Sequence, residues 1–358
     1  MYLTQLDIRQ VRNIENISIK PANRCNFIYG ENASGKTSIL EAIYLLSVAR
    51  SFRTTHIKNV ISHKKENLQI FARSINKNQE HYSLGIERSA KNIRIRVNNN
   101  DVKQVAQLSS LLPVQIINPD VHKLLELGPK NRRQFIDWGV FHVERQFLQN
   151  WQNYYRVLKQ RNASLRQKND KKTVFLWNGQ LIEYARAITV ARESYLGTFI
   201  PIFNNYVQQL MGLTIEIKYY RGWNKEVSFT DTLENSFDKD KYRGFTSFGP
   251  HRGDLEIFHN NSLVQDSFSR GQQKLLVCAM RLAQISHLKI YTGQQSIVLV
   301  DDLAAELDIK HRQNLINLLV DTEAQLFLTA TEKDAFVVPE EINPKMFHVE
   351  HGQVKEVV

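Results

Sequence analysis

Apolar positions along this chain fall into blocks of different period. Leu3, Leu6 and Ile8, then Ile14, Ile17 and Ile19, read as strands with one buried face. The compact run Cys25 to Tyr29 predicts a buried strand, and Thr37 to Val48 a helix with Ile39, Leu40, Ile43 and Leu46 on its apolar face. Residues 68–100 alternate in the β manner, and the cluster Asn98-Asn99-Asn100-Asp101 predicts a hairpin turn. A helical texture begins after Pro119. Two long amphipathic segments, Gln146 to Asn169 and about Gly179 to Met211, are joined by the polar stretch KNDKKT and predict an antiparallel helix pair. The β pattern returns at LTIEIKYY. A helix beginning near Ser269, an apolar strand over Ser296 to Val300 and the β-like AQLFLTAT follow.

Composition narrows the class. The chain has 358 residues, 42% hydrophobic and 23% charged, within the range of globular proteins. No run of eighteen apolar residues occurs and the first residues lack a signal-like core, which predicts a cytoplasmic protein with no membrane partner. Cys25 and Cys278 are the only cysteines, too few for a disulfide or zinc framework. The net charge of +11 favours a polyanionic partner. Residues 129–172 hold eleven Lys/Arg against three Asp/Glu, so this segment reads either as a solvated helical face or as a polyanion-binding surface.

The chemistry is concentrated at three places. Gly30-Glu31-Asn32-Ala33-Ser34-Gly35-Lys36-Thr37 fits G-x-x-x-x-G-K-[ST], with a strand before it and a helix after it. Backbone N–H groups of such a loop wrap a phosphate, Lys36 reaches the β- and γ-phosphates, and the Thr37 hydroxyl ligates Mg²⁺. Further on, an apolar strand ends in Asp301 and Asp302. At a strand's carboxyl end Asp301 is suited to anchor the metal and Asp302 to orient or deprotonate an attacking water. Third, Ser269-Arg270-Gly271-Gln272 opens a helix, a second anion-binding element.

The order of these motifs, completed by Leu303-Ala-Ala-Glu306-Leu307-Asp308, resembles the ABC-type ATPase heads. VRNIENISI, KTSILEAIYLLSVARSFRT, PVQIINPDVHKLLELGPKNRRQFID, FGPHRGDL, FSRGQQKLL and LVDDLAAELD narrow the likeness to the RecF family, over Leu3 to about Thr331. The resemblance implies an α/β P-loop ATPase head of the SMC/RecF type, assembled from residues 1–115 and 213–358, with a helical arm domain inserted over 116–212. It implies ATP and Mg²⁺ as cofactors and a weak, DNA-stimulated ATPase. It implies dimerisation on ATP, with Ser269 and Gly271 of one copy completing the phosphate site of the other. It also implies action on gapped, single-stranded or duplex DNA with RecR, and indirectly RecO, to load RecA in repair, replication restart and the SOS response. Arg12 and Asn13 sit where related heads contact nucleotide. The competing reading is an ABC-type ATPase subunit driving a partner other than DNA.

Two positions depart from the family pattern, and two regions differ from the transporter ATPases. Ala33 replaces a glycine, which is tolerable if its φ is negative. Gly253 stands in place of an aspartate. Thr329 and Thr331 occupy the region where transporters carry a switch histidine, and Asn118 and Asp120 lie where transporters carry a metal-contacting glutamine.

Overall fold

A computed structural model describes residues 1–302, 307–333, 335, 337–339 and 342–357. They divide into two compact units, Met1–Val121 with Lys274–Val358, and His122–Gln273.

The first unit opens with β1 (Tyr2–Val11) and β2 (Ile14–Ile19), followed by β3 (Cys25–Tyr29) and α1 (Lys36–Val48). Then come β4 (Asn67–Ile75), β5 (His81–Ser89), β6 (Ile93–Val97), β7 (Asn100–Val102), α2 (Val105–Leu111) and β8 (Val114–Ile117). One six-stranded sheet runs β2-β1-β4-β5-β6-β7 and is antiparallel throughout. The spacing of Leu3 and Leu6 is three rather than two because the β1–β4 register shifts between Leu3 and Gln5, and the bulge returns Leu6 to the buried face. The predicted hairpin turn is shorter than its asparagine cluster. Only Asn98 and Asn99 turn, both at positive φ (49° and 65°), while Asn100 and Asp101 already belong to β7.

The second unit contains α3 (Lys123–Glu126), α4 (Pro129–Val143), α5 (Phe147–Arg166), α6 (Lys171–Phe175) and α7 (Asn178–Met211). β9 (Glu216–Tyr220), α8 (Phe229–Asn235), α9 (Phe237–Arg243), β10 (Asp254–His259), β11 (Ser262–Leu263) and α10 (Val264–Ser267) complete it. α5 and α7 pack on each other as the sequence pattern requires. Their connection is not a plain loop, because Asp170 accepts the Thr173 N–H (2.9 Å) and starts the short helix α6. Gly139 of α4 admits the Tyr195 ring of α7, which would lie 2.2 Å from a Cβ there. The unit extends past the expected boundary at residue 212, since β10 packs on α4.

Arginines hold the interior of this unit together. Arg161 bonds Asp240 (3.0 Å), Asn178 (3.0 Å) and Thr246 (2.7 Å), and both members of its ion pair are fully buried. Arg192 grips Asp137 at 2.8 and 3.0 Å, and Arg132 grips Asp254 at 2.9 and 2.8 Å. Tyr154, an aromatic of the basic segment, is core rather than a stacking platform, and its hydroxyl lies 2.6 Å from His251 Nδ1.

The chain closes with α11 (Arg270–Thr292), β12 (Ile297–Val300), α12 (Ile309–Asp321), β13 (Gln325–Ala330), β14 (Lys345–Glu350) and β15 (Gln353–Val357). These supply most of a second sheet, ordered β15-β14-β3-β13-β12-β8. Every pairing in it is parallel except β14–β15. β12 and β13 are buried at every residue, which is why they read as continuous apolar runs. α1 contacts strands of both sheets and buries Ile39, Leu40, Ile43, Leu45 and Leu46 among them. Cys25 and Cys278 are free and buried, and burial pushes both thiols up to about 12.

Candidate functional site

The glycine-rich loop leaves the carboxyl end of β3 and feeds directly into α1. Gly35 is the residue before α1, at φ 124°, and no side chain caps the helix. The first N–H groups of a helix have no intrahelical partner, and the first turn of α1 carries no acidic residue to occupy them. Gly30 has φ 151°, and a Cβ there would lie 2.2 Å from the Val349 carbonyl oxygen. Both glycines are therefore required by the backbone path. Ser34 and Lys36 are buried, whereas Glu31, Asn32 and Ala33 are exposed.

Ala33 reverses one expectation. Its φ is 63°, in the left-handed region, so the condition for a harmless methyl is not met. The family glycine suits this position for a backbone reason.

Lys36 Nζ curls back and donates to the carbonyls of Gly30 (2.7 Å) and Glu31 (2.8 Å). Burial pulls its ammonium below the ordinary value, against the opposing pull of the Asp302 and Asp301 carboxylates. The cation therefore stands between the loop and the two acids.

The acids arrive from the far end of the sequence. β12 lies between β13 and β8, so Asp301 and Asp302 emerge at the carboxyl edge of the sheet that also launches the loop. Thr37 Oγ1 donates to Asp301 Oδ1 at 2.9 Å. Thr329, at the end of β13, donates to the same oxygen at 2.9 Å and accepts the Asp302 N–H at 3.0 Å. Burial raises the Asp301 carboxyl above its usual range, the hydrogen bonds from Thr329 and Thr37 pull it back, Asp302 adds to the rise, and Arg53 opposes it. Asp302 has φ 48°, a second non-glycine residue held in the left-handed region of this site.

These donors suit a hard divalent cation. The Thr37 hydroxyl, in the first turn of α1, and the Asp301 carboxylate, just past the end of β12, are oxygen donors within 2.9 Å of each other. Among the described residues no cluster of three His, Cys, Asp or Glu is arranged to hold a metal, so remaining ligands would come from phosphate and water. Asn118 follows β8, the neighbour of β12, and so stands at the same sheet edge as Asp301. Leu303 to Glu306 lie outside the described residues. Asp308 beyond them caps α12 by accepting the His311 N–H (3.0 Å).

Arg12 and Asn13 brace this loop. The Asn13 amide donates to the carbonyls of Ala33 (3.1 Å) and Ser34 (3.0 Å) and accepts from Ser38 (3.0 Å). The Arg12 guanidinium forks onto Glu41 of α1 at 2.8 and 2.9 Å, and that carboxylate is fully buried. Two further contributors escaped the sequence reading. Arg53 stands close enough to Asp301 to shift it, and the β14–β15 turn reaches the loop through Gly352 N–H to Ser34 O (2.8 Å).

In the second unit Ser269 precedes α11. Its N–H donates to Gln272 Oε1 (2.9 Å) while the Gln272 N–H donates to Ser269 Oγ (3.3 Å), a reciprocal capping box. Ser269 and Gly271 are both exposed, as an anion-binding helix start requires. Gly253 immediately precedes β10 and passes close to the end of β9, where a Cβ would come within 2.9 Å of the Tyr220 carbonyl oxygen, while Asp254 is occupied by Arg132.

A phosphate loop and an acid-tipped strand on one parallel sheet, with an antiparallel sheet across α1, define an ABC-type ATPase head. The family model described as the RecF/RecN/SMC N terminal domain matches residues 2–355. The DNA replication and repair protein RecF of Cellvibrio japonicus (strain Ueda107) is 42% identical over 361 residues, covering 99% of each chain. RecF of Shewanella baltica (strain OS223) is 41% identical over 357 residues, again covering 99% of each. The chain belongs to the RecF family. Among solved structures, one of the recombination mediator protein RecF with ATP, from the RecFOR pathway, matches with a TM-score of 0.89 at 24% identity, covering 100% of this chain and 98% of that one. An SMC head bound to the C-terminal winged-helix domain of ScpA matches at a TM-score of 0.58 and 15% identity, over 100% and 98%. These two likenesses establish the fold. Among the described residues no helix is long and apolar enough to cross a membrane.

Proposed function

We propose that this chain is an ATP-dependent DNA-binding protein of recombinational repair, a slow ATPase whose two copies close over bound nucleotide. The observation that supports it most is the Thr37–Asp301 hydrogen bond of 2.9 Å, which unites the phosphate loop with the acid strand across the length of the sequence. In this reading Lys36 neutralises the β- and γ-phosphates, and Thr37 and Asp301 hold Mg²⁺, which offsets charge on the transferring phosphoryl group. Asp302 accepts the proton of the attacking water as the bond to the leaving ADP breaks. Ser269 and Gly271 of a second copy supply N–H groups and a helix dipole to the same phosphates.

The net charge of +11 and the curated relatives named for DNA replication and repair support DNA as the partner. By the same family relation the protein acts in the cytoplasm with RecR, and indirectly RecO, to load RecA at single-strand gaps and to promote the SOS response. Light scattering tests the shared site. ATP should dimerise the parent chain but not Lys36→Ala. Ser269→Arg should bind nucleotide yet neither close nor hydrolyse. An ATP-dependent dimer in Lys36→Ala, or normal hydrolysis in Ser269→Arg, overturns it. ATP-driven closure indifferent to DNA would point to a head that drives another partner.

A further inference from the structure

We propose that the outward face of α5 is a docking surface for the phosphate backbone of duplex DNA, an inference that rests on the DNA-binding reading above. No Asp or Glu occurs between Arg145 and Asn169. At 3.6 residues per turn Gln149, Gln152, Arg156, Lys159 and Arg166 share one side of the helix, and each is exposed. Side chains of this kind, cationic and amide, make most protein contacts to DNA phosphates.

The distribution of carboxylates sharpens the point. The inward arginines of this unit, Arg132, Arg161 and Arg192, each take one, namely Asp254, Asp240 and Asp137. Among the described residues the outward Arg156, Lys159 and Arg166 take none, and Arg156 donates only to the Asn153 amide oxygen (3.1 Å). Exposed acids lie instead on α7 (Glu183, Glu193) and α8 (Asp231, Glu234). The unit thus keeps one helical face purely positive, although acids are available elsewhere on its surface.

Shape favours duplex over single strand. α5 rises about 30 Å over its length, close to one turn of B-DNA at about 34 Å. Single-strand binders present aromatic rings for base stacking. Here Tyr154 is buried, and Trp151 and Tyr155 pack on each other at a tilt (4.3 Å between centroids, 43° between ring planes) to the side of the cationic row.

The test uses the full chain with ATP. Arg156→Gln/Lys159→Gln/Arg166→Gln is compared with the parent by fluorescence anisotropy, on a duplex and on a single strand of equal length, over about 50–200 mM salt. Duplex affinity should fall at least about tenfold, and the slope of log K against log salt should shrink by about 2 to 3, at about 0.9 per lost phosphate contact. ATP-dependent dimerisation and the melting temperature should stay unchanged, and Glu183→Gln/Glu193→Gln on α7 should leave the slope alone. A variant with the parent's duplex affinity and slope overturns this surface while leaving DNA binding intact. A loss as large on the single strand overturns the duplex assignment. A parent that binds no DNA overturns both this inference and the reading beneath it.

Discussion

Thr329 Oγ1 lies 2.9 Å from Asp301 Oδ1 and simultaneously accepts the Asp302 N–H, so one hydroxyl fixes both residues of the acid pair. Asp302 is held in a left-handed conformation, and its N–H has this partner as its anchor. Thr329→Val keeps the shape and removes both bonds. Asp301 should then rise further above its usual range and bind Mg²⁺ less well. We expect the Mg²⁺ concentration for half-maximal ATPase to rise about tenfold, equivalent to about 1.4 kcal/mol, with Thr329→Ser near the parent. An unchanged Mg²⁺ titration in Thr329→Val would show that Thr329 does not position the acids.

Ala33→Gly should stabilise the protein or leave it unchanged. A left-handed alanine costs about 1–2 kcal/mol, while glycine loses about 0.4–1 kcal/mol more entropy on folding. The net gain is between about 0 and about 1.6 kcal/mol, readable as a rise in melting temperature. Gly30→Ala should do the reverse, because its Cβ would collide with the Val349 carbonyl. A clear fall in stability for Ala33→Gly would contradict the conformation described.

Arg161 and Arg156 are five residues apart on α5 and should behave as opposites. Arg161→Ala strands the fully buried Asp240 and should cost about 3–5 kcal/mol. Arg156→Ala should change stability by less than about 0.5 kcal/mol. Urea unfolding of both variants decides this, and equal costs would refute the assigned burial. Arg161 accordingly has no place among the charges to reverse when DNA contacts are mapped.

Acid should weaken the second unit through His251. Burial, only partly countered by the Thr246 carbonyl and reinforced by nearby arginines, pushes this imidazole down to about 4. Its Nδ1 faces the Tyr154 hydroxyl and its Nε2 faces Thr246 O, the pattern of a neutral ring. The unfolded chain takes up a proton near the ordinary value of about 6.5, so stability should be flat above that pH. Below it, stability should fall by up to about 1.4 kcal/mol per unit down to about pH 4. His251→Gln should flatten that slope in denaturant titrations at pH 7 and pH 5. A parent slope retained in the variant would assign the effect to other groups, such as His287, which burial also pushes down to about 4.

What was legible in the sequence was what depends on near neighbours. The phosphate loop, the acid-tipped strand, the capped helix start at Ser269 and the α5–α7 pair all follow from spacing and local pattern. The unread parts rest on distant residues. Nothing near Gly30 announces that Val349 will press on it, and nothing near Thr329 announces that it will hold Asp301. Arg161 reads as one more surface cation until Asp240, far along the chain, is placed beside it. Ala33 was misjudged for a different reason, since alanine usually avoids positive φ and only the path of the loop imposes it.

β3 is hydrogen-bonded between β13 and β14, so residues 25–29 find their neighbours only in residues 325–350. During synthesis the strand carrying the phosphate loop must wait, on the order of tens of seconds at ordinary translation rates, for those residues to leave the ribosome. His122–Gln273, an uninterrupted stretch, faces no such delay and can fold while β3 and β8 are still without the strands that complete their sheet. An early stop before β13 would therefore leave a folded arm attached to an unpaired, apolar strand, a species for proteases and chaperones to deal with.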